Sequence, residues 1–250
     1  MLRIRPIHFT SRPDAWEELL TALGMVKTVD EGPWREFDSG AGRLALHLAE
    51  AGAADDGNTA LGVEVGDLAE FGRRTNLAAA ESGTTNADII AADHGESCRI
   101  SCTDGFSFLA DKAAHGAQCA DADPALAVVG VWFTPDPGAA AVTLQDIGAR
   151  FRPVPDADET ADFTAKNGGV LMVRPASGRP RSGLGFEYDG DLHAVRERLA
   201  AAGIGFSETE EAFARTLHVA NPDAAGRAGG ATPDGHVPPT LWVTQRLATQ

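Results

Sequence analysis

Leu61-Gly62-Val63-Glu64-Val65-Gly66-Asp67-Leu68 has a near-copy later in this chain. Its echo, half a chain later, is Leu184-Gly185-Phe186-Glu187-Tyr188-Asp189-Gly190-Asp191-Leu192. Both copies alternate apolar and polar residues, the period of a strand with one buried face. Both then reach an Asp ahead of a new apolar pattern, where a carboxylate caps the free N–H groups of a helix start. Each copy therefore reads as strand, turn, helix. A repeat this long marks a duplicated domain rather than a solenoid.

Other echoes keep the same order. Leu23-Gly24 matches Ile147-Gly148, and Phe37-Asp38 with Gly42 to His47 matches Phe163-Thr164 with Gly169 to Arg174. Thr103-Asp104-Gly105 resembles Pro222-Asp223. The chain reads as two related halves, 1–117 and 125–250. Within them the pattern predicts four β-α-β-β-β modules, at 1–50, 58–117, 125–176 and 181–250, an α+β fold. In the first module, Ile4 to Thr10 reads as the opening strand. Pro13-Asp14 starts a helix, with Trp16, Leu19, Leu20 and Leu23 as its apolar stripe and Gly24 as its end. Trp34–Asp38 and Arg43–Leu48 read as a hairpin around Ser39-Gly40-Ala41-Gly42. Asn221 to Pro239, rich in Gly, Pro and Ala, reads as a long loop.

The chain has 36 acidic against 21 basic residues, a net charge of −15. That balance argues against nucleic acid and anionic membranes as partners. No apolar run reaches the roughly 20 residues that span a bilayer, and the first residues enter a strand pattern at once. A cytoplasmic protein is expected, with Cys98, Cys102 and Cys119 reduced. No nucleophile elbow, phosphate-binding loop or His-Glu-x-x-His helix is present.

Four such modules, paired two and two, resemble the vicinal oxygen chelate superfamily of glyoxalases, extradiol dioxygenases and bleomycin resistance proteins. The resemblance rests on Ile7-His8-Phe9-Thr10 with its helix, on Gly62 to Asp67, on Asp104-Gly105-Phe106 and on Phe186-Glu187-Tyr188. It implies two similar domains, each a curved mixed sheet forming a cup with helices outside. It also implies that the cup holds a small molecule or a metal, and that the chain is a monomer with internal pseudo-symmetry or a homodimer.

Metal-dependent members place a His or Gln on a module's first strand and a Glu on the last. A divalent ion needs at least three such donors in one cup. His8 stands at or beside the first-strand position and His47 ends the first module. Ala60 and Leu109, at the matching places of the second module, cannot ligate. In the second half Trp132 replaces His8, Arg174 replaces His47 and Gln245 stands for the usual Glu. The ligand set is incomplete, so no cofactor is expected. The reading is a protein that binds a small, partly aromatic molecule in a cup. The expected ligand-binding residues are His8, Trp34, His47, Glu64, Trp132, Arg174, Glu187, Trp242 and Gln245. A divalent-metal lyase or dioxygenase using His8, His47 and Glu64 is the alternative. For each Trp, packing between sheet and helices is the competing reading, and Glu64 and Glu187 equally suit an outward strand face.

Overall fold

The computed structural model describes residues 1–114, 121–153, 159–211, 214–224 and 237–246. His115, Cys119, His236 and most of the loop read at 221–239 lie outside them. Four β-α-β-β-β modules follow one another. The first has β1 (Leu2–Ile4), β2 (Ile7–Thr10), α1 (Pro13–Leu23), β3 (Val26–Asp30), β4 (Trp34–Asp38) and β5 (Arg43–Leu48). The second has β6 (Thr59–Ala60), β7 (Gly62–Val65), α2 (Leu68–Ala78), β8 (Thr85–Ala92), β9 (Gly95–Cys102) and β10 (Ser107–Lys112). The third has β11 (Leu126–Thr134), α3 (Pro137–Asp146), β12 (Arg150–Arg152), β13 (Ala161–Thr164) and β14 (Val170–Pro175). The fourth has β15 (Arg181–Tyr188), α4 (His193–Ala201), β16 (Phe206–Glu211), β17 (Ala214–Ala220) and β18 (Thr240–Gln245).

Each module pairs the strand before its helix in parallel with its last strand: β2 with β5, β7 with β10, β11 with β14, β15 with β18. Parallel neighbours need a long crossover, and the helix together with the two intervening strands supplies it. The helix starts are legible in the sequence. Asp67 caps α2 by accepting the Glu70 N–H at 2.8 Å, and Asp136 caps α3 from Ala139 at 3.0 Å. In the fourth module Asp191 instead accepts the N–H of His193, and Leu192 holds the cap position. Gly24 ends α1 at φ +97°, a conformation that disfavours any residue with a Cβ.

Two strands expected to be continuous are broken. Ile4–Thr10 is interrupted at Pro6, which has no N–H to give a ladder. Leu2–Ile4 pairs antiparallel with β7, whereas Ile7–Thr10 pairs with β5. Thr59–Gly66 is likewise split at Leu61.

Backbone proximity divides the chain into two compact units, each drawing on both sequence halves. Unit 1 comprises Met1–Pro6, Ala60–Ala117 and Val129–Gly183. It contains the strands β1-β7-β10-β9-β8 and β12-β13-β14-β11, with α2 against α3. Its core includes Ile4, Val63, Cys98, Ile100, Trp132, Leu144, Phe163 and Leu171. Unit 2 comprises Ile7–Thr59, Gln118–Val128 and Leu184–Gln250. It contains β3-β4-β5-β2 and β15-β18-β17-β16, with α1 against α4. Its core includes Trp16, Leu19, Leu20, Leu23, Phe37, Phe186, Val195, Leu199 and Leu217.

One contact recurs in the two units. Thr134 ends β11 and donates its hydroxyl to Asp104 at 2.7 Å in unit 1. Thr10 ends β2 and donates to Asp223 at 2.5 Å in unit 2. In each pair the carboxylate sits in a turn of another module and ties it to the strand end. No described helix is long and apolar enough to cross a membrane.

Candidate functional site

Strand parity decides which side chains are available. In unit 2, the sheet face that meets α1 carries His8, Thr10, Phe37, Leu44 and Leu46, all buried. His8 leans on the Trp16 ring at 4.1 Å between centroids. Its Nε2 lies 2.7 Å from Asp223 Oδ2, and its Nδ1 lies 2.9 Å from the Thr59 hydroxyl. A carboxylate only accepts, so Nε2 donates to Asp223, while Nδ1 and the Thr59 hydroxyl form the second hydrogen bond. Asp223 also takes the Trp16 indole N–H at 2.8 Å and the Thr10 hydroxyl. Burial drives the Asp223 carboxyl upward, but the hydrogen bonds from His8, Thr10 and Trp16 and the His8 charge outweigh it. The group lies below its ordinary value. His8 is thus held on both ring nitrogens in the helix-facing core.

The helix-averted face of the same sheet carries a different set. Phe9 is opposite His47 across β2 and β5, and His47 is opposite Trp34 across β5 and β4. Opposite residues share a face, so three rings form one row. The Phe9 and His47 centroids are 5.4 Å apart, and those of Trp34 and His47 are 5.9 Å apart, edge-on. All three are half-buried. Further along this face lies a buried ion cluster in which Arg43 donates to Asp38 at 2.5 Å and to Glu36 at 2.9 Å. Arg43 is wholly buried. The Trp34 indole N–H donates to Glu36 at 3.3 Å.

Also in unit 2, Trp242 lies against Gly185, where a Cβ would fall 2.2 Å from the indole. Glu187 is buried on the neighbouring strand, and Gln245 donates to the Gly190 carbonyl at 2.8 Å, holding a turn.

In unit 1, Glu64 and Arg3 form a buried pair at 2.6 Å, and Arg5 donates to Asp111. Asp111 also receives Ser97 at 2.5 Å and faces His94 Nε2 at 3.1 Å. The Asp111 contact raises the pKa of His94 above its ordinary value, against partial burial, with help from Asp93. Trp132 is core: it is 1% exposed, stacks on Phe106 at 4.7 Å, and its indole N–H has no partner among the described residues. Arg174 donates to Asp162 at 2.7 Å, and Asp162 also takes Arg152 at 2.9 Å, so its charge is already engaged. Cys98 and Cys102 are free thiols, and burial pushes them up to about 11 and about 12, values that suppress thiolate chemistry.

The sequence reading took Trp34 and His47 separately as ligand-binding candidates; the structure sets them in one row with Phe9, and Asp223 and the Arg43 cluster were not anticipated. The alternation of Glu36 and Asp38 against Arg43 was a signal for the last. The echo of Asp104 by Asp223 was a signal for the second.

No family model matches the sequence, and no curated protein does. Solved structures match throughout. A catechol 2,3-dioxygenase matches with a TM-score of 0.60 at 13% identity, over 98% of this chain and 86% of that one. The Mn(II)-bound glyoxalase from Novosphingobium aromaticivorans matches at 0.57 and 14%, over 97% and 80%. Homoprotocatechuate 2,3-dioxygenase from Arthrobacter globiformis matches at 0.56 and 15%, over 98% and 78%. The chain has the vicinal oxygen chelate fold. Identities this low establish the fold alone.

The vicinal oxygen chelate fold corrects one expectation. No cofactor was expected from the incomplete ligand set, yet a solved structure with this fold is a Mn(II)-bound glyoxalase, so the fold does accept a divalent ion. The donor set proposed for such an ion does not assemble: His8 and His47 lie on opposite faces of one sheet, and His8 is engaged on both nitrogens. Among the described residues no group of three His, Cys, Asp or Glu side chains is placed to hold a metal.

Proposed function

We propose that this chain binds a small, partly aromatic molecule on the helix-averted face of β2, β5 and β4. The observation that carries this reading is the half-buried row Phe9, His47, Trp34, set side by side by strand register on the face turned from α1. Rings held in this way offer flat apolar area at little entropic cost. The buried Glu36–Arg43–Asp38 cluster ties β4 to β5 further along the same face. The fold supports the reading as well, since its solved members include catechol dioxygenases and a glyoxalase, proteins named for small-molecule substrates.

The test is a titration with 2-naphthol followed by calorimetry, on wild-type protein and on Trp34→Ala. Saturable binding is expected, weakened roughly tenfold by the loss of the indole. Binding that is absent, or unchanged in Trp34→Ala, would overturn the reading. Repeating the titration with Mn(II) added measures directly what an ion contributes.

A further inference from the structure

His47 differs from every other histidine on the described sheets in how its ring is committed. Its Nδ1 lies 3.0 Å from the carbonyl oxygen of Leu48. A carbonyl has no proton to give, so Nδ1 carries the hydrogen. In the neutral imidazole Nε2 then holds a lone pair. The Leu48 carbonyl is the hydrogen-bond partner of His47 among the described residues, and the ring's remaining neighbours are Phe9 and Trp34. Neither competes for Nε2: Phe9 has no polar atom, and the Trp34 N–H is directed to Glu36. The row therefore presents two apolar rings flanking one oriented acceptor.

We propose that His47 Nε2 is the specificity-determining acceptor of this face, selecting planar molecules whose ring carries an N–H or O–H donor. Phenols, indoles and azoles belong to that class, and their O- or N-methylated counterparts do not. This inference rests on the small-molecule reading above and gives it a chemical direction. A ligand without a donor leaves Nε2 desolvated and unpaired against a ring, and discrimination follows from that loss rather than from shape. A backbone carbonyl sets the tautomer, so the selection is built into the strand end and needs no second side chain. Metal ligation is the competing role for such a nitrogen. It would require further donors, and no three-donor group stands among the described residues.

The experiment compares 2-naphthol with 2-methoxynaphthalene, which have the same ring system but differ in the donor. Wild-type protein is expected to bind the naphthol more tightly, roughly five- to tenfold for one neutral hydrogen bond. His47→Leu should bind the two probes equally, near the wild-type affinity for the methoxy compound. His47→Gln, which keeps an acceptor, should restore part of the preference. Nitrogen NMR of the imidazole in the free protein should show the Nδ1–H tautomer. Equal affinities on wild-type protein, a preference that survives in His47→Leu, or an Nε2–H tautomer would each overturn the inference while leaving small-molecule binding intact. Failure of both probes to bind would overturn the small-molecule reading, and this inference with it.

Discussion

Three side-chain donors converge on the buried carboxylate of Asp223: His8, Thr10 and Trp16. Removing one member of such a cluster leaves the others unpaired away from water. Asp223→Asn is therefore expected to cost about 3–5 kcal/mol, read from urea unfolding. The pH dependence has a definite sign. A carboxyl held below its ordinary value stabilises the fold above that value, and the contribution is lost as pH falls through the lowered one. The acid limb of the stability profile should thus flatten in Asp223→Asn. His94 works in the opposite sense. Its pKa is raised above 6.5, so its contribution is present below that value and is lost as pH rises through the raised one. The ring is half exposed, so the effect is small. Stability profiles of wild-type and His94→Gln should diverge on the acid side and converge at alkaline pH. At Gly185 the constraint is steric, because a methyl group would fall inside the Trp242 ring. Gly185→Ala should displace the indole, changing the near-UV circular dichroism and lowering stability by about 1–3 kcal/mol.

At the scale of elements, the cap at Asp67 could be read directly, because capping is local chemistry, whereas in its echo Asp191 binds the His193 N–H and Leu192 takes the cap position. Asp67→Ala should cost α2 about 1 kcal/mol in denaturant unfolding, since the Glu70 N–H loses its acceptor. Strand parity was harder to read. In Ile7-His8-Phe9-Thr10 the apolar residues suggest that Ile7 and Phe9 face the core and His8 the open side. The structure reverses this: His8 and Thr10 go inward because Asp223, distant in sequence, satisfies them. Phe9 is left on the open face beside His47. A local pattern cannot show a partner that arrives from the far end of the chain. Trp132 and His8 occupy matching strand positions and both turn inward, so the echo between the halves held even where the reading of the face did not.

At the scale of the molecule, the sequence repeat and the compact units cut the chain in different ways. Repetition is visible along the chain, but packing is not, and each core combines residues from before and after the midpoint. Trp16 and Leu20 share a cluster with Phe186 and Leu217, just as Val63 and Cys98 share one with Trp132 and Phe163. Fragments 1–117 and 125–250 made separately are therefore expected to unfold without cooperativity, and mixing them should restore a near-UV signal. A fragment that melts cooperatively alone would show that its own modules suffice. The same interleaving also puts the two units on different clocks during synthesis. The last segment of unit 1 ends at Gly183, but unit 2 opens with Ile7–Thr59 and lacks Leu184–Gln250 until those later residues have been made. At roughly 5–20 residues per second, that stretch adds several seconds. Until then the α1 stripe of Trp16, Leu19, Leu20 and Leu23 waits for its partners. The earliest-made core helix is among the last to be covered, which makes it the segment a chaperone would hold.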